Sequence, residues 1–150
     1  MTQRNAFGRA ANARGWAVLD GLIAIVIFSI GILGMVALQA VAVKLTTDAK
    51  YRTDAAMLAD RVIAQMWGAN PAALSTNFAG ANGSGGSAYL QWAKAVADGL
   101  PGVSTNQPSI AINNNNLVTV TVNWLAPNDK SPTNPTPAPH SYVSITQITR

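Results

Sequence analysis

The chain has no cysteine and no glutamate, and its one histidine is His140. Without thiols there are no disulfides, no thiolate nucleophile and no cysteine-based metal site. An exported domain can do without disulfides, so this leaves the compartment open. Charge is also scarce. Asp, Glu, Lys and Arg make up 11% of the chain, against roughly 25% in soluble domains. All the acids are aspartates: Asp20, Asp48, Asp54, Asp60, Asp98 and Asp129. Asp54 and Asp60 are six apart, which does not put them on one helix face, and no acidic run has calcium-loop spacing. His140 follows a proline-rich stretch and reads as a solvated loop residue. Nothing in the order of Ser, His and Asp points to a catalytic triad. The glycine-rich stretch 79–87 has no strand before it and no Gly-Lys-Ser/Thr after it, so it is not a phosphate-binding loop. The expectation is a chain that is not an enzyme, with no cofactor, no metal and no small-molecule substrate.

The basic balance, +4 with a pI near 9.9, suggests nucleic acid at first sight. Its distribution argues otherwise. Arg4, Arg9 and Arg14 all precede Gly15. Removing residues 1–15 leaves seven basic against six acidic side chains. Basic and aromatic residues are not interleaved as a nucleic-acid surface requires. Positive charge ahead of an apolar helix is a topological signal that holds that end in the cytoplasm.

What the chain does have is a long apolar run. Gly21 to Val43 carries no formal charge, and only Ser29 and Gln39 in it are clearly polar. About 20 apolar residues suffice to cross a bilayer as a helix. Asp20 stands at the head of this run. A carboxylate costs roughly 2.5–3.5 kcal/mol at the centre of a membrane helix, so one in such a place usually has a function. A cleaved secretory signal is one reading, but the run exceeds the usual 7–15 residues, and Ala37 to Ala42 offers only a poor cleavage site. A plain signal anchor is another, and it leaves Gly15 and Asp20 without a role.

The order Arg14-Gly15-Trp16-Ala17-Val18-Leu19-Asp20 resembles the type IV pilin and pseudopilin family. Its members carry a short basic leader ending in Gly, then an aromatic residue, then an acid four residues on within an apolar helix. Here Trp16 stands for the usual Phe, and Asp20 for the usual Glu. The resemblance implies cleavage between Gly15 and Trp16 by a prepilin peptidase on the cytoplasmic side, and methylation of the new amine of Trp16. The carboxylate has a physical logic of its own. An unpaired charge among packed apolar helices is strongly unfavourable. The cut creates an α-amine that Asp20 can meet, its own or that of the next subunit. Such a pair fixes the axial register between helices.

Beyond the run, the spacing predicts one long helix, Trp16 to Trp67. Its second half turns amphipathic, with Ala55, Leu58, Ala59, Val62 and Met66 on one stripe. Asp48 and Arg52 are in the favoured acid-first i,i+4 order, and Gly68 with Asn70-Pro71 stops the helix. Residues 70–87 read as a flexible loop. Ser87 then caps a short helix that presents Tyr89, Trp92, Ala93, Val96, Ala97 and Leu100 and ends at Gly99 and Pro101. Strands are predicted over Ser109–Asn113, Leu117–Leu125 and Ser141–Thr149. Val118, Val120, Val122 and Trp124 face inward on the second of these. A turn covers Asn113–Asn116, and Ala126–His140 forms a loop with five prolines. Trp67, Trp92 and Trp124 read as core or interface. The expected fold class is α+β, a long N-terminal helix on a small antiparallel sheet. Its parts are a leader (1–15), a transmembrane or fibre-core helix (16–43) and a head (44–150).

The tract Phe28 to Gly34, the cluster Leu58-Ala59-Asp60-Arg61, the Trp92 helix ending in Leu100-Pro101-Gly102 and the Val118–Trp124 strand resemble one subgroup, the type IV pilus modification protein PilV. That resemblance implies a minor pilin that primes pilus assembly or sits at the tip. Its partners would be other minor pilins, the major pilin and the prepilin peptidase. The chain would be single-pass in the bacterial inner membrane, with a cytoplasmic leader and a periplasmic head, and would enter the pilus on assembly. The alternatives are a minor pseudopilin of type II secretion and a signal-anchored extracytoplasmic binding domain.

Overall fold

The computed structural model describes residues 10–130 and 133–149. Arg4 and Arg9 of the leader, Ser131 and Pro132 of the proline-rich stretch, and Arg150 lie outside the described residues, as do the side chains of residues 10–14. Helix α1 runs Ala10–Gly68. It starts before the expected Trp16, because Ala10-Ala11-Asn12-Ala13-Arg14 is rich in good helix formers and nothing breaks it. Two compact units divide after Val43.

In the first unit the described part is α1 alone. Every side chain from Gly15 to Val43 is exposed, with Phe28, Leu33 and Leu38 at 68–73%. This segment is one helix long and apolar enough to cross a membrane. A helix that is apolar all round needs lipid or other helices against it.

The second unit, Lys44–Arg150, is a small α+β fold. The 44–68 part of α1 is followed by a single turn at Pro71–Ala73 and the short helix α2, Leu74–Phe78. Strands β1 (Gly80–Ala81) and β2 (Ser84–Gly85) form a minimal hairpin. Helix α3 spans Ser87–Gly99. Then come β3 (Ser109–Ile112), β4 (Leu117–Trp124) and β5 (His140–Gln147). All five strands join one antiparallel sheet in the order β2-β1-β3-β4-β5.

The predicted stripe of α1 lands in the core. Ala55, Leu58, Ala59, Val62 and Met66 are buried with Tyr89, Trp92 and Val96 of α3 and the inner face of β4. Val118, Val120, Val122 and Trp124 are all buried, as the alternation requires. Trp92 ties the two helices, donating from Nε1 to the Leu58 carbonyl at 2.9 Å. That carbonyl also belongs to the helix ladder, so losing the indole leaves no orphan acceptor. Trp92→Phe is therefore expected to destabilise the head by about 1–2 kcal/mol, from one buried hydrogen bond and a smaller ring. Denaturant unfolding of the full chain in detergent checks this.

Several expectations change. Residues 70–87 are not an open loop: α2 buries Leu74 and Phe78, and Asn82-Gly83 turns the hairpin with both residues at positive φ, 50° and 72°. Asn-Gly is the strongest short hairpin signal, and here the surrounding glycines mask it. Ser87 does not cap α3. Gly86 is the N-cap residue and makes no side-chain cap bond. The acid-first pair Asp48–Arg52 does not form. The ion pair on this stretch of α1 is instead Lys50–Asp54, at 2.9 Å, and Lys50 has its pKa raised by the hydrogen bond and charge of Asp54. Both residues lie on the surface, where such pairs contribute little. Ala97 is exposed, and Trp67, at 38%, lies outside the core.

Candidate assembly site at the head of the apolar helix

Gly15, Trp16 and Asp20 all lie on α1. Trp16 and Asp20 are four residues apart, so they share a face, separated by about 6 Å along the axis. With Ala17, Leu19 and Ile23 they line a shallow hollow of about 360 Å³. Trp16 is 74% exposed. Helical side chains lean toward the N-terminus, so the Asp20 carboxylate is directed toward the turn that holds Trp16. Asp20 has no ion pair or hydrogen bond among the described residues. It is the one charged side chain between Trp16 and Val43.

Gly15 sits inside the helix, and a Cβ built there meets nothing within 4 Å. The fold therefore makes no steric demand for glycine at this position. Gly31 and Gly34 are equally unconfined. Ser29 turns inward on its own helix, donating its hydroxyl to the Ile25 carbonyl at 2.7 Å. That engages the hydroxyl's one donor within the helix.

A second cluster lies on the head, and sequence reasoning missed it. His140 is exposed, as expected, but it is not a loop residue. It opens β5, opposite Trp124 of β4, and its ring stacks on that indole with centroids 5.5 Å apart and planes 20° from parallel. Its Nε2 lies 2.9 Å from Asp129 Oδ2. The same Asp129 oxygen accepts from the Ala126 amide at 3.1 Å, which fixes the carboxylate. The contact clasps the two ends of the proline-rich loop. A groove of about 350 Å³ beside it is lined by Asp48, Ala49, Arg52, Trp124 and His140. No Ser, Thr, Cys or Lys lines it, and no group of three metal-ligating side chains occurs among the described residues. Only strand pairing brings Asp129, His140 and Trp124 together, so local sequence carried no signal for it.

Comparison of the chain with known protein families, with curated proteins and with solved structures returns no match.

Proposed function

We propose that this chain is a minor pilin of the type IV pilin superfamily, resembling the PilV subgroup: a structural subunit, not an enzyme. It is inserted in the bacterial inner membrane, cut after Gly15, and joins other pilins in a complex that primes fibre assembly or sits at the tip. The observation that carries the reading is Asp20, the lone carboxylate on a wholly exposed apolar helix segment, one turn from the residue that cleavage would make the N-terminus. A helix of this kind needs apolar neighbours along its length, and lipid followed by a fibre core supplies them. The free amine of Trp16 supplies the countercharge. The head, with its own core, is the part left outside the membrane.

The decisive measurement is the mass of the mature chain purified from its native membrane. A chain beginning at Trp16, methylated or not, is the expected result. A chain that keeps the leader, or one cut near Ala42, overturns the reading. Gly15→Leu is expected to block cleavage altogether, because the family resemblance makes glycine at the cut the peptidase's requirement, while a Cβ built there meets nothing within 4 Å. Any loss of processing then reports on the peptidase and not on misfolding. Mature-sized protein from that variant in an immunoblot would count against the assignment.

A further inference from the structure

The bond that cleavage would break lies inside a helix. α1 begins at Ala10 and runs on unbroken, so the peptide between Gly15 and Trp16 falls in its second turn. In that geometry the amides of Trp16, Ala17, Val18 and Leu19 donate to the carbonyls of Asn12, Ala13, Arg14 and Gly15. The Gly15 carbonyl, the group a hydrolase must polarise, is tied to the Leu19 amide. One face of a helical peptide plane is turned to the axis, and side chains leaning from the next turn screen the other. A second protein cannot bring water to that carbon until the turn opens. Two features keep the opening local. The first turn of α1 has no acid to meet the positive end of the helix dipole. Gly15, at the cut, is the poorest helix former after proline.

We propose that processing is gated by the helix–coil equilibrium of residues 10–19: the peptidase cuts only chains in which this stretch has unwound, so the helix propensity of the leader sets the rate. This rests on the fibre-subunit reading and adds how its processing site is regulated. Helix and coil interconvert in about 0.1–1 μs, which is fast against enzyme turnover of about 1–10³ per second. Under that condition cleavage follows the population of the open form and not the rate of opening. In the open form water adds to the Gly15 carbonyl carbon and the C–N bond to Trp16 breaks. The nitrogen takes a proton and leaves as the Trp16 amine, and Gly15 keeps the carboxylate. The helix beyond residue 19 stays wound throughout, so opening the cut site does not disturb the apolar run.

The test uses the full chain in detergent with purified prepilin peptidase. Gly15 is left as it is, because the peptidase reads that residue directly. Ala11→Gly and Ala13→Gly loosen the leader helix, and Asn12→Ala tightens it. Each glycine is expected to raise kcat/KM for cleavage about three- to fivefold, and Asn12→Ala to lower it about threefold. Amide hydrogen exchange at residues 16–19, measured without peptidase, is expected to shift by the same factors. Ala37→Gly, about six turns further on, is expected to change neither. Combining Asn12→Ala with Ala13→Gly is expected to bring both readouts back toward wild type, which a lost contact with the peptidase would not do. Cleavage that stays constant while exchange shifts, or that slows with the glycines, means that the peptidase takes the leader as a helix, and overturns the proposal. Exchange at residues 16–19 that is unprotected in the wild type, or unresponsive to the substitutions, overturns it as well. A wild-type chain left uncut by a peptidase active on another prepilin overturns the fibre-subunit reading. A wild-type chain cut at the same rate as its variants overturns the gating alone.

Discussion

Asp20→Ala is expected to leave cleavage after Gly15 intact and to lower incorporation into fibres by about ten- to a hundredfold. The fold-change follows from losing one charge-assisted hydrogen bond, roughly 1.5–3 kcal/mol, at about 1.4 kcal/mol per factor of ten. In the proposed fibre core both partners would be removed from water, so deleting the acid would leave the amine of Trp16 unpaired there, which adds to the cost. In the single chain, by contrast, Asp20 makes no ion pair or hydrogen bond among the described residues, and it is not part of the head's core. The effect is therefore confined to assembly. Asp20→Asn keeps the shape without the charge and is expected to behave like alanine. Asp20→Glu keeps the charge with a longer reach and is expected to assemble. Quantifying mature protein in sheared fibres against that in the membrane tests all three. Wild-type incorporation of the alanine variant would remove the central support of the proposed function.

Gly86→Ala is expected to destabilise the head by about 3 kcal/mol or more, the high end for overpacking a core. Its backbone, at φ −65° and ψ 162°, is open to any residue, so the demand for glycine is steric. An added Cβ would sit 2.1 Å from the Asn77 carbonyl oxygen and 2.4 Å from that of Thr76. Both are backbone atoms of α2, and neither can swing aside. Gly86 also links the end of α2 to the start of α3: its amide donates to the carbonyl of Ala79, the α2 C-cap, and its carbonyl accepts from Leu90 in the first turn of α3, each at 3.0 Å. Relieving the clash means separating α2 from α3, and with it the burial of Phe78 and Tyr89. Gly68→Ala is the control, since a Cβ there meets nothing within 4 Å. It is expected to be neutral or slightly stabilising, because alanine loses less backbone entropy than glycine. Thermal unfolding of the two variants in detergent, followed by near-ultraviolet circular dichroism, should differ clearly. Similar melting temperatures would refute the steric account.

The parts of the fold that were legible in the sequence are those governed by periodicity. A 3.6-residue stripe named the five buried residues of α1, and a two-residue alternation named the four of β4, because each side chain's direction depends only on its place in its own element. The hairpin at Asn82-Gly83 carried a local signal as well, hidden by the glycines around it. Asp48 and Arg52 had the right spacing for a pair, but a weak surface interaction does not fix long side chains, and the partner that formed was Lys50–Asp54. At the candidate site, Gly15, Trp16 and Asp20 were legible because they fall within two turns of one helix, at a spacing that sequence alone fixes.

By itself the sequence determined that this protein has one uncharged helix long enough to span a membrane, a single acid at its head, and an amphipathic continuation able to cover a sheet. Those properties follow from composition and spacing along the chain. The tertiary structure alone decided that His140 stacks on Trp124 and meets Asp129, that Gly86 admits no side chain, and that β5 forms an uncharged edge. Each of these depends on which distant segments become neighbours, and neighbours are chosen by strand order and register, which no local pattern encodes.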